Sequence, residues 1–562
     1  MSAEGGAGGR RLLGQIIKER GAVREGQVQE ALEEQRKHGG LIGQCLVELG
    51  HCTSGDVSAA LAEQAGMETV DLATGTPMAE ALELVDGSTA HAFCVLPLRL
   101  EGDVLTVALA DPLNTAVLQD LSFTTGMDVR GAVAQEDLLR TKVSEHYGEE
   151  TSLADAIAAA AAAQGAGDMD PETAAASLPV VRLLNSLLHR AVRDRASDVH
   201  FEVFEDAFRI RYRVDGSLYE VEAPPAHLAL PLVSRIKVMS DLDITETRLP
   251  QDGRIELAID GRPVDLRVAT LPGVSGEGCV MRVLDRSAVN LSLPALGLGS
   301  DEEEELRALT RLPHGIILVT GPTGSGKTTT LYAMLTEASR PEIKIITTED
   351  PVEYDIDGIV QVPVNEDIGV TYAAVLRTVL RQDPDMILIG EVRDPETAAV
   401  AVEASLTGHL VFSTVHTNDA PSTVTRLVDM GVAPFLITAT LEAVVAQRLL
   451  RTICLDCRTP YDPDDEVLMQ LGPHAEALRG SPFYYGKGCE ECHHTGYRGR
   501  VGIFEVMRVD QPMRTAILDG DSSEELRRAA IAGGMRTLRE SGLRMVTEGR
   551  STIEEVLRET GI

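Results

Sequence analysis

The sequence predicts an α/β protein of several domains. Its core is a parallel sheet wound with helices over residues 299–562, behind a strand-rich α+β domain (179–298) and an amino-terminal domain (1–150). Three observations predict this. Residues 299–450 alternate apolar strands with helical stretches, as a parallel sheet requires, because each crossover between parallel strands needs a helix-sized connection. The run FEVFEDAFRIRYRVDG (201–216) reads as two β segments around a turn. Residues 12–64 hold an internal duplication at helical spacing. At 562 residues the chain is too long for one hydrophobic core.

In chain order, LLGQIIKERGAVREGQVQEALEEQ (12–35) aligns with LIGQCLVELGHCTSGDVSAALAEQ (41–64) at a period of 29 residues. Each copy reads as a helix, a glycine stop (Gly21, Gly50) and a second helix. Two copies are too few for a solenoid, so this is a small duplicated helical module. Residues 65–148 alternate short strands with helices, giving a small α/β unit. The Ala-rich, Gly-containing stretch 151–178 reads as a linker, partly helical. The strand-rich domain and the alternating core follow, then a loop-rich stretch at 451–500 and a helical end. Ser551 to Glu554 offers a capping box to the last helix.

The formal net charge is −36, from 87 acidic against 51 basic residues. A free nucleic-acid binder more often presents a basic face, so that role is disfavoured and no nucleic-acid partner is expected. The longest low-polarity run, Ala156 to Ala163, is far below the roughly 20 residues of a spanning helix, and MSAEGGAGGRR has no apolar segment behind its charges. A cytoplasmic protein is expected, reaching the inner membrane only through partners.

Residues 316–334, IILVT-GPTGSGKT-TTLYAM, place G-x-x-x-x-G-K-T between a strand and a helix. That context makes the motif a phosphate site. Gly321, Pro322, Thr323, Gly324, Ser325 and Gly326 form the loop whose backbone N–H groups close around phosphates at a helix amino terminus, with Thr329 continuing it into the helix. Lys327 is placed to reach the β- and γ-phosphates of ATP, and the Thr328 hydroxyl to hold Mg²⁺. Three further strands end in polar groups. MILIG ends in Glu391, KIITTEDPVEY in Glu349, Asp350 and Glu353, and HLVFSTVHTND in His416. A carboxylate at such a strand tip can hold Mg²⁺ through water or polarise the attacking water, and an imidazole can sense the γ-phosphate. Cys454-x-x-Cys457 and Cys489-x-x-Cys492 flank 31 residues. Two such knuckles bring four thiolates into a closed tetrahedron suited to structural Zn²⁺. His493 and His494 adjoin the last ligand and read as surface residues.

At these residues the sequence resembles the secretion ATPase superfamily, whose members drive type II secretion, type IV pilus extension and retraction. GPTGSGKTTTLYAML resembles the Walker A, ITTEDPVEY the aspartate box, ILIGEVRDPETA the atypical Walker B and TGHLVFSTVHTNDA the histidine box. RLPQDGRI (248–255), VDLRVATLP (264–272) and SDVHFE (197–202) resemble the preceding domain. The resemblance implies a RecA-like ATPase core behind a PAS-like domain, ATP hydrolysis with Mg²⁺, and a homo-hexameric ring. By position it implies that Glu353 is the general base, Glu391 the Walker B carboxylate, and Arg267 and Arg282 the arginines that approach nucleotide. LYEV, KVMSDLDITETRLPQDGRI and VTRLVDMGVAPFL resemble the type II secretion ATPase more than the pilus extension ATPase. A regulatory module that binds nucleotide but hydrolyses little is disfavoured by intact Lys327, Thr328, Glu353 and Glu391. The cysteine loop resembles one that holds the motor to its inner-membrane platform. The module at 12–64 resembles a domain that binds cyclic di-GMP in some relatives. It departs from the binding form, which starts each copy with Arg-Leu-Gly, by having Leu12-Leu13-Gly14 and Leu41-Ile42-Gly43. Docking to the cytoplasmic domain of a membrane protein is the other reading of that module.

Overall fold

The computed structural model describes residues 13–561, apart from 39–41, 66, 73–76, 83, 86, 111, 113–114, 148–152, 165–172, 174, 222–223, 260–261, 286–290 and 479. The chain forms two compact units, Met1–Asn290 and Leu291–Ile562.

The first unit opens with helices Leu13–Glu19, Glu25–His38, Ile42–Glu48 and Ser54–Ala65. The duplication is visible in their core: Ile16 and Cys45, Ile17 and Leu46, Ala31 and Ala60 are equivalent in the repeat and all are buried together. Gly21 and Gly50 end the first helix of each copy at φ of +79° and +70°, where a side chain would be strained. Leu12 and Leu41, at the head of each copy, lie outside the described residues. A four-stranded sheet follows, in the order β1-β4-β3-β2. Its strands are β1 (Glu68–Thr69), β2 (Val95–Glu101), β3 (Val104–Leu109) and β4 (Asp128–Val133).

The stretch expected as a partly helical linker contains a helix, Leu153–Gln164, and that helix has a buried face. Ala156 and Ala160 join one core with Val180 and Leu184 of the next helix, Leu178–Arg193. Alanine is the best helix former, and its small side chain lets two helices approach closely, so low complexity here encodes packing. The strand-rich domain is an antiparallel six-stranded sheet in the order β7-β6-β5-β10-β9-β8. Its strands are β5 (Asp198–Val203), β6 (Phe208–Val214), β7 (Ser217–Glu220), β8 (Gln251–Ile259), β9 (Arg262–Gly273) and β10 (Gly276–Asp285). The two β runs foreseen at 201–216 are β5 and β6, paired with Val203 opposite Phe208.

The second unit is built on seven strands in the order β13-β12-β14-β15-β11-β16-β19. They are β11 (Gly315–Thr320), β12 (Ile345–Glu349), β13 (Ile359–Pro363), β14 (Met386–Ile389), β15 (Leu410–Val415), β16 (Leu441–Ile453) and β19 (Tyr497–Arg508). All neighbours pair in parallel except β16 with β19. Helices cover both faces, so side chains of both parities are apolar: Ile316 and Leu318 pack into one core, Ile317 and Val319 into the other. This two-sided burial is why the strands read as unbroken apolar runs. Leu293 and Leu296 belong to the second core, so the division between units falls ahead of the expected 298/299 boundary.

Two details differ from expectation at the carboxy-terminal end. The segment after 500 begins as strand β19, because its apolar residues complete the sheet beside β16, and only then turns helical. The last helix is capped by Thr552, whose side chain accepts from the Glu555 amide. Ser551 instead donates to the Arg451 carbonyl at 2.8 Å. Between β16 and β19, β17 (Arg458–Tyr461) and β18 (Phe483–Gly486) form a two-stranded sheet that holds the cysteine loop. Among the described residues no helix is long and apolar enough to cross a membrane.

Candidate functional site

Parallel strands gather their carboxyl ends at one edge of the sheet, and the loops there carry the chemistry. β11 leads into the glycine loop and then into helix Lys327–Ala338. Gly321 and Gly326 have φ of +144° and +87°, and an added Cβ would lie 2.5 Å from the Gln447 carbonyl oxygen and 2.9 Å from its side-chain nitrogen respectively. Only glycine fits a loop pressed this closely on β16. The resulting cradle holds Ser325, whose hydroxyl is buried without a hydrogen-bond partner among the described residues. Lys327 Nζ donates to the carbonyls of Gly321 and Pro322 at 2.9 and 3.0 Å. Burial lowers the Lys327 pKa, and the Glu391 carboxylate opposes that shift. A glycine cradle, an orphaned hydroxyl, a half-buried cation and the exposed Thr328 at the helix start fit a nucleotide phosphate with Mg²⁺.

The neighbouring strands add polar groups at the same edge. Glu391, just past β14, is ion-paired with Arg393 and lies 3.3 Å from His416 Nε2. Burial alone would raise its pKa, but Arg393 and His416 hold the carboxyl below the usual carboxylate value. His416 follows β15 on a loop pinned from several sides. The Thr320 hydroxyl accepts from the Thr417 amide at 2.9 Å, and Asp419 caps the next helix and pairs with Arg527.

The acids after β12 divide. Glu349 is buried and held by the hydroxyls of Tyr332 and Thr347 and by Gln361 Nε2 at 3.1 Å. It is a fastening between the phosphate-loop helix and the sheet. Asp350 is exposed, and the half-buried Glu353 donates its amide to the Tyr332 hydroxyl at 3.4 Å.

Arg267 and Arg282 lie in the first unit, apart in the chain from this edge. They face each other across β9 and β10, and Arg254 on β8 faces Arg267, giving a row of three arginines. Arg254 is clamped to the buried Asp265 through two bonds of 2.7 and 2.5 Å. Arg282 is largely exposed and makes one 3.1 Å bond to Asp198. Arg254, the third member, is not legible in the sequence, because the row exists only once strands are paired. Nor does the sequence disclose Gln447 of β16, which lies against the phosphate loop, or Arg448, which bonds Asn418 on the loop after His416.

The four cysteines converge as their spacing implied. All four sulfurs lie within 4.8 Å of one another, and three of the separations are 3.8, 3.9 and 3.7 Å. Four thiolates about 2.3 Å from Zn²⁺ would sit about 3.8 Å apart, so the donor set fits that ion. Burial pushes the Cys454 thiol up to about 12. Burial would do the same to Cys492, but the Cys489 and Gly496 amides, aimed at its sulfur at 3.2 and 3.3 Å, hold it down to about 7. His493 and His494 adopt left-handed φ of 48° and 59°, turning the chain behind Cys492.

Comparison with known proteins places this architecture. A model of the type II/IV secretion system protein family matches residues 173–558. A model of the MshEN domain matches residues 65–153, which is the α/β unit beside the duplicated module rather than the module itself. The chain is 41% identical over 557 residues, 98% of both chains, to the type IV pilus assembly ATPase PilB of Myxococcus xanthus (strain DK1622). It is 51% identical over 383 residues to type II secretion system protein E of Dickeya dadantii (strain 3937), covering 68% of this chain and 76% of that one. The solved structure of the Yersinia pseudotuberculosis ATPase DotB shares the fold, with a TM-score of 0.52 at 22% identity over 68% of this chain and 93% of that one. With a family model over more than half its length and a relative aligned almost end to end, the chain belongs to the type II/IV secretion system protein family of RecA-like ATPases.

Proposed function

We propose that this chain is the cytoplasmic ATP-hydrolysing motor of a type II secretion system, six copies forming a ring that converts hydrolysis into pseudopilus assembly. The observation that carries the reading is the gathering of Lys327, Glu391 and His416 beside a glycine cradle at one edge of a parallel sheet. Lys327 and the loop amides hold the β- and γ-phosphates, with Thr328 and Glu391 placed to hold Mg²⁺. That ion, when bound, neutralises charge on the phosphate oxygens. Glu353 accepts the proton of the attacking water, and His416 reports the γ-phosphate through its contact with Glu391. Arg267 and Arg282 supply further cations from the strand-rich domain. Zn²⁺ on the four cysteines stabilises the loop that holds the motor to its inner-membrane platform. The amino-terminal domain docks on the cytoplasmic domain of a membrane protein of the same machine.

The 51% identity to a type II secretion protein over 383 residues supports secretion as the work done. The alignment of 98% of both chains with a pilus assembly ATPase supports a second reading, pilus extension. Deleting the gene tests both. Loss of exported proteins from the medium with surface pili retained is the expected result, and loss of pili with export intact would replace the first reading by the second. Complementation with Lys327→Ala should fail in either case, and success would remove hydrolysis from the reading.

A further inference from the structure

β16 runs parallel to β11 with Ala446 opposite Thr320, so Gln447 and Arg448 continue alongside the phosphate loop. Gln447 braces that loop: its side-chain oxygen accepts from Thr330 Oγ1 at 2.7 Å, on the first turn of the phosphate-loop helix. Arg448 reaches the other way. Its Nη2 donates to the Asn418 side-chain oxygen at 3.2 Å and to the Asn418 carbonyl at 3.4 Å. Asn418 lies two residues after His416, so this guanidinium is tied to the loop that carries His416 while its backbone neighbour Gln447 lies against the phosphate loop. The Arg448 Nε is buried and has no hydrogen-bond partner among the described residues. The Nε atoms of Arg458, Arg527 and Arg544 are likewise buried without a hydrogen-bond partner among the described residues, but that of Arg448 belongs to the residue next to Gln447 at the phosphate loop, where an acceptor of matching chemistry visits. Planar guanidinium donors match phosphate oxygens better than any other common acceptor except carboxylate. The positive charge of Arg448 also lowers the Lys327 pKa, after the larger effect of burial, which sets the two cations close to one another.

We propose that Arg448 contacts the terminal phosphate of ATP through its free guanidinium N–H while remaining bonded to Asn418, so that the loop carrying His416 distinguishes ATP from ADP. The inference rests on the reading of this edge as an ATP site. It adds a cation from the same chain and the same unit as Lys327, distinct from the arginines of the strand-rich domain. The bland account of the same geometry is that Arg448 only braces the 416–419 loop.

The test uses full-length protein with Arg448→Lys and Arg448→Gln, measuring affinity for a non-hydrolysable ATP analogue and for ADP, with turnover and thermal unfolding alongside. A charge-assisted hydrogen bond is worth about 1.5–3 kcal/mol, or roughly 10- to 100-fold in affinity. Arg448→Gln should therefore weaken the ATP analogue by about tenfold or more, leave ADP within about twofold, and cut turnover at least tenfold. Arg448→Lys, which keeps the charge but not the fork, should fall between. Equal affinity changes for the two nucleotides, or none, would overturn the proposal and leave Arg448 as a brace. Lys327→Ala is the control. If it binds both nucleotides like wild type, the reading of the site fails; if it loses them while the Arg448 variants behave as wild type, only the Arg448 assignment fails.

Discussion

Lys327 donates to two carbonyls of its own loop, while burial lowers its pKa and Glu391 counters that shift. Replacing it by alanine removes the charge that phosphate oxygens require and leaves the cradle in place, because the glycines rather than the lysine shape the loop. Lys327→Ala should reduce ATP turnover to background in a phosphate-release assay while the unfolding temperature changes little. Glu353 tests a different step. Glu353→Gln keeps size and polarity and loses only proton acceptance, so nucleotide affinity should stay within about threefold while turnover falls by about 10²–10⁴. Normal hydrolysis by this variant would move the base elsewhere. Glu391 bears on pH. Its folded pKa is lowered, so its pairing with Arg393 and His416 stabilises the fold above the ordinary carboxylate value, and that share is lost as pH falls through the folded value. Glu391→Gln should therefore flatten the low-pH limb of the stability profile, read by urea unfolding between about pH 3 and 6.

At the scale of elements, Glu505 joins pieces far apart in sequence. On β19 it accepts the Ala420 amide at 2.9 Å and the Leu538 amide at 3.3 Å, the first residues of two helices. Its pKa is raised by burial, against the pull of those amides. A carboxyl with a raised folded pKa holds its proton more tightly in the folded state, so stability falls as pH rises from about 4.3 through the folded value. Wild type should lose more stability between about pH 4 and 8 than Glu505→Gln, and equal losses would show that burial leaves this carboxyl unperturbed. The cysteine loop is a second such element. A closed four-thiolate site contributes folding energy directly. Cys457→Ser should lower zinc from about one per chain by elemental analysis and loosen the 451–500 region in hydrogen exchange, whereas a fully stable metal-free protein would exclude the site. These elements also show what a sequence can disclose. The glycine loop, the strand-end acids and the cysteine pairs are legible because each is written within one short segment, and the apolar runs around them announce a sheet buried on both faces. Gln447, Arg448 and Glu505 are not, since their meaning comes from strand pairing: Gln447 meets Thr330 across 117 positions of chain. The helix Leu153–Gln164 is foreshadowed by a partly helical linker, but its packed face is not legible because alanine-rich faces carry no contrast of hydrophobic and polar residues.

The motor proposed above couples chemistry in one unit to movement of another, and the arginine row on β8, β9 and β10 separates fastening from switching. Arg254 is bidentate to the buried Asp265, so Arg254→Ala would take two charge-assisted bonds from a buried carboxylate and should act through stability. Arg282 is exposed and holds Asp198 by a single bond, so its removal costs the fold little. An arginine supplied to a developing γ-phosphate charge can be worth roughly 10³–10⁵ in rate, enough for its arrival to gate turnover. A ring in which the strand-rich domain brings Arg267 and Arg282 to bound ATP, and releases them after hydrolysis, would turn that gate into rotation. Activity per chain should then rise with protein concentration or enforced hexamerisation, because a lone chain lacks the full constellation. A flat rate per chain across dilution, with light scattering reporting monomers throughout, would count against a ring. Arg267→Ala and Arg282→Ala should each cut steady-state turnover by at least about a hundredfold while fluorescent nucleotide still binds the glycine loop, and Arg254→Ala should instead lower the unfolding temperature. If all three variants lose stability and turnover together, the row is scaffolding. If Arg267→Ala and Arg282→Ala hydrolyse ATP at the wild-type rate, rotation needs another switch.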